Sequence, residues 1–106
     1  MRATLALLAT LAAAVAAAGS PPEVALYSKP ATVAFRRAPD GATLWTAVIA
    51  DVPGVSEDAI TERLSRLIGE KSECPAGWGQ DQRHAEHGFM MGRVLIIEGH
   101  CKAASP

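Results

Sequence analysis

The chain has little of what usually announces a function. It holds only two cysteines, Cys74 and Cys101, too far apart for a C-x-x-C redox pair. Aromatic side chains make up 5% of its 106 residues. Ten Lys and Arg are scattered among eleven Asp and Glu, and no cluster of one sign forms. A net charge of −1 with so few aromatics leaves no electrostatic footprint for nucleic acid. There is no G-x-G-x-x-G or G-x-x-x-x-G-K-[ST] phosphate loop, no G-x-S-x-G nucleophile elbow and no H-E-x-x-H zinc helix.

What is present begins with one long apolar run. Met1-Arg2-Ala3-Thr4 supplies a positive start, and Leu5 to Ala18 follows without a charge. The run closes in Ala16-Ala17-Ala18, small residues at the positions a signal peptidase reads, and then breaks into Gly19-Ser20-Pro21-Pro22. This order predicts a signal peptide over 1–18, removed after Ala18. The run is shorter than the roughly 20 residues of a stable membrane-crossing helix. No cysteine stands just past it to take a lipid. The expectation is one periplasmic or secreted bacterial domain over 19–106, with no stable membrane insertion after cleavage.

A domain this short often uses a covalent brace. Two cysteines in an oxidising compartment predict a disulfide between Cys74 and Cys101. Without Arg2 the mature chain keeps a slight acidic excess.

Residue patterns place the elements. Val24 to Tyr27 reads as a short edge strand. Thr32 to Arg37 and Thr43 to Asp51 read as a hairpin around Pro39-Asp40-Gly41. Both faces of the second strand are apolar, which suits an interior position. Ser56 is a good cap, with Glu57 and Asp58 in the first helical turn. Ile60, Leu64, Leu67 and Ile68 then form one stripe of an amphipathic helix that fades near Gly69–Lys71. A strand starting at Cys74-Pro75-Ala76-Gly77-Trp78-Gly79 would run to Gln82 or His84. Asp81 to Gly88 reads as a polar loop, and Phe89 to Gly99 as the last strand. The order (β)ββαββ predicts an α+β fold. Its small antiparallel or mixed sheet of four to five strands would carry the helix on one face.

Candidate chemistry concentrates near the C-terminal half. His84 and His87, with Met90, Met91 and the more distant His100, offer imidazole and thioether donors suited to Zn or Cu. They would meet only if the segment turned tightly. Trp78 is a contact residue or a seal over the core beside the disulfide. Asp81, Arg83 and Glu86 are candidate binding contacts. Ser, His and Asp are available for hydrolysis, but nothing in their spacing assembles a triad. The leading expectation is a noncatalytic module that binds a protein, peptide or other envelope component. A metal-binding protein using His84 and His87 is the alternative, and a small hydrolase is a second alternative.

Overall fold

A computed structural model of the chain describes residues 21–88 and 92–104. The signal-peptide reading of 1–18 and the donors Met90 and Met91 fall outside them. Among the described residues six elements follow in chain order: helix α1 (Pro22–Ser28), strands β1 (Thr32–Arg37) and β2 (Thr43–Ala50), helix α2 (Glu57–Lys71), and strands β3 (Trp78–Gly88) and β4 (Gly92–Cys101). The strands form one antiparallel sheet in the order β1-β2-β4-β3. No described helix is long and apolar enough to cross a membrane.

The hairpin turn forms as its residues dictate. Asp40 Oδ1 accepts from the Ala42 amide at 3.0 Å, and Gly41 takes φ +90. β2 runs between β1 and β4, the interior place that its two apolar faces suit. Ser56 Oγ caps α2 by accepting from the Ala59 amide at 3.1 Å. At the other end Ser72 turns left-handed and its amide returns to the Gly69 carbonyl.

All four stripe residues of α2, Ile60, Leu64, Leu67 and Ile68, are buried. They pack with Trp45, Ala47 and Ile49 of β2, Ile97 of β4 and Leu26 of α1 into one core. The helix therefore covers a single face of the sheet.

Two expectations are corrected. Val24–Tyr27 is not a strand but part of α1. Pro22 sits in the first turn, where its missing N–H costs nothing, and the helix turns Leu26 into the core. Asp81–Gly88 is not a loop but most of β3, paired with β4 from Gln82↔Glu98 to Gly88↔Gly92.

The disulfide forms between Cys74 and Cys101, 27 residues apart, with Cα atoms separated by 4.9 Å. It ties the α2–β3 connection to the end of β4. Trp78 stands beside it, half-buried against the core, edge-on to Trp45 with ring centroids 5.5 Å apart.

Candidate functional site: the open face of the sheet

Alternation along the strands divides the side chains between two faces. The helix side takes Val33, Phe35, Trp45, Ala47, Ile49, Leu95 and Ile97. The open side takes Leu44, Thr46, Val48, Ile96, Glu98 and His100, joined across the β2–β4 register. Val48 stands opposite Ile96 at its centre.

β3 adds to both sides through a β-bulge. Its pairing with β4 shifts between Gln80 and Gln82, so Asp81 is the extra residue. Ahead of the bulge Trp78 faces the core and Gly79 lies opposite His100. Beyond it Gln82, His84 and Glu86 take the open face, while Arg83 and Ala85 turn to the helix side. Without the extra residue, Trp78 and Gln82 would share one face.

Three carboxylates gather on the open side, each with a histidine or amide partner. Asp81 accepts from His100 Nδ1 through both oxygens, at 2.9 and 3.0 Å. Glu98 is hydrogen-bonded by the Gln82 amide. Glu86 lies 3.2 Å from His84 Nε2. None of the three forms an ion pair with Lys or Arg among the described residues. Elsewhere the pattern reverses: Glu57 pairs with Arg83, Glu62 with Arg66 and Asp51 with Arg93. The hydrogen bond that Arg66 donates to Glu62, and then the charge of that carboxylate, raise the pKa of Arg66 above its ordinary value.

The residues singled out in the sequence therefore scatter. Arg83 grips Glu57 of α2 through two hydrogen bonds of 2.7 and 3.2 Å and serves helix-to-sheet packing. His84 points to the open face, whereas His87, opposite Arg93, belongs to the helix side. His100 sits at the far end of the sheet, held by Asp81. Among the described residues, no group of three His, Cys, Asp or Glu is placed to hold a metal ion.

Two hollows, of about 220 and 440 Å³, adjoin at the hairpin end and share Thr43 and Glu73. Phe35, Arg37, Asp40 and Lys102 complete their walls, and no histidine lines either. The imidazole–carboxylate pairs thus stand on an exposed surface, apart from these hollows.

The Asp81–His100 and Gln82–Glu98 pairs escaped the sequence reading. The Gln82–Glu98 pair has a signal in the alternation Gln82-His84-Glu86 and Glu98-His100, which marks one face of two strands; Asp81, the bulge residue, stands outside it. No protein-family model matches the chain, and no curated protein or solved structure matches it. The fold and the chemistry of its surface are the ground for a functional reading.

Proposed function

We propose that the domain, exported and freed of residues 1–18, is a noncatalytic binding module of the bacterial envelope. Its open sheet face engages a protein segment that presents apolar and cationic side chains together. One observation carries this reading: Asp81, Glu86 and Glu98 line one side of that face without an arginine or lysine partner among the described residues. Beside them run Leu44, Val48 and Ile96, half-buried apolar side chains on the face opposite α2, with no helix over them among the described residues. An apolar strip gives area to a contact, and carboxylates without an arginine or lysine partner give it selectivity for cations.

Photo-cross-linking in the native envelope tests it. A photoreactive residue at Val48 or Ile96 is expected to capture a defined partner, and one at Ser65 on the exposed side of α2 is not. The peptide joined to the cross-link should carry both Lys or Arg and apolar residues, and Glu98→Lys should abolish the capture. Equal capture from Ser65, or a captured peptide without cations, would overturn the reading.

A further inference from the structure

We propose that a second copy of this chain pairs with the outer edge of β3, antiparallel about a two-fold axis through Ala85. This goes beyond the binding role of the open face and does not depend on it.

Among the described residues β3 closes the strand order, so β4 occupies one side of its backbone and the other side is an edge. Such an edge presents a row of N–H and C=O groups that a further strand can pair with. The two edges differ. β1 has six residues and ends in Arg36-Arg37, whereas β3 has eleven. On β3 the bulge confines regular pairing to Gln82–Gly88, whose midpoint is Ala85.

Antiparallel pairing of identical strands about an axis perpendicular to the sheet sets one residue opposite itself. It also keeps both copies of α2 on the same side. With Ala85 at the centre, two small exposed side chains meet on the axis. His84 then stands opposite Glu86 twice on the open face, and Gln82 stands opposite Gly88. On the helix side Arg83, already held by Glu57, stands opposite His87. Neighbouring centres are worse. An axis through Arg83 or Glu86 sets like charges directly opposite, which destabilises cross-strand pairs. An axis through His84 sets imidazole against imidazole and leaves Glu86 opposite Gln82. The Ala85 register therefore uses the whole regular stretch and matches imidazole to carboxylate on both sides of the axis. It doubles the four-stranded sheet and carries the row of open-face carboxylates across the junction.

The test uses the mature domain with its disulfide intact. Sedimentation at submillimolar concentration is expected to give a dimer, and Ala85→Lys a monomer that keeps the circular dichroism spectrum of the folded domain. Ala85→Cys should be joined rapidly into a covalent dimer by a short bis-maleimide, and Thr61→Cys on α2 should not. Cysteine cross-linking keeps the proposal testable if the lysine variant folds poorly. A monomeric wild-type domain would overturn the proposal, as would Ala85→Cys reacting no faster than Thr61→Cys. The Val48 and Ile96 cross-links report the open face separately, so either reading can fail alone.

Discussion

The Trp45 indole lies directly over Gly99. The two residues are paired across β2 and β4, and a Cβ at position 99 would collide with the indole and with the Gly79 carbonyl. The same indole donates from Nε1 to the His100 carbonyl at 3.2 Å and meets the edge of Trp78. Trp45 is almost wholly buried, so its satisfied N–H removes a cost that burial would otherwise impose. A residue with no side chain thus seats the largest side chain of the core.

Gly99→Ala should therefore destabilise the fold by about 3 kcal/mol, the upper end of ordinary overpacking, because backbone as well as ring must move. Urea unfolding followed by tryptophan fluorescence measures it. A loss below about 1 kcal/mol would mean that Trp45 has another place to go.

Reduction of Cys74–Cys101 should cost about 3.5 kcal/mol on the loop-closure account, for a closed segment of 27 residues. A domain of ordinary stability has only about 5–15 kcal/mol in total. Mass measurement with and without reductant, after thiol blocking, counts the bond. Thermal unfolding of the two forms then gives its effect. Equal melting temperatures would show that the brace adds no stability to the folded chain.

Two contacts between α2 and the sheet should differ sharply in weight. Leu64 is fully buried in the core, so Leu64→Ala is expected to cost about 2–5 kcal/mol. Arg83→Ala removes both hydrogen bonds to Glu57, whose side chain is 74% exposed, and should cost under about 1 kcal/mol. Denaturant unfolding of the two variants side by side tests the order. A reversal would place the helix-to-sheet attachment in the ion pair instead of the core.

The features legible in the sequence were those in which one residue type has one physical use. Ser56 before an acidic first turn, four stripe residues at helical spacing and two cysteines each led to the element that is seen. The interior place of β2 followed from its two apolar faces, whose side chains neighbouring strands on both edges partly shade. The failures came where tertiary context decides. Val24 to Tyr27 is too short to show a period, and only its docking through Leu26 distinguishes helix from strand. Asp81 to Gly88 is polar because it is an edge strand beside an open face, so its pairing with β4 leaves no hydrophobic trace. The bulge at Asp81 adds to this, since it changes which alternate residues face the core partway along the strand. The candidate site suffered the same way. Asp81 and His100 meet across two strands, and spacing along the chain carries no sign of it.

Metal binding offers the last discrimination. His84 and His87 are three apart on an extended strand, so their side chains leave opposite faces of the sheet. One ion therefore cannot take both imidazoles from a single copy while β3 stays paired with β4. Zn²⁺ or Cu²⁺ titration of residues 19–106, followed by calorimetry, is expected to show no site that requires both residues. Any weak binding at His84 should survive His87→Ala, because Glu86 is its neighbour on the open face and His87 is not. A tight site lost in either single variant would mean that β3 leaves the sheet to bind metal. Amide exchange at Gln82–Gly88 would reveal that rearrangement directly, since the hydrogen bonds to β4 that slow exchange would open as metal is added.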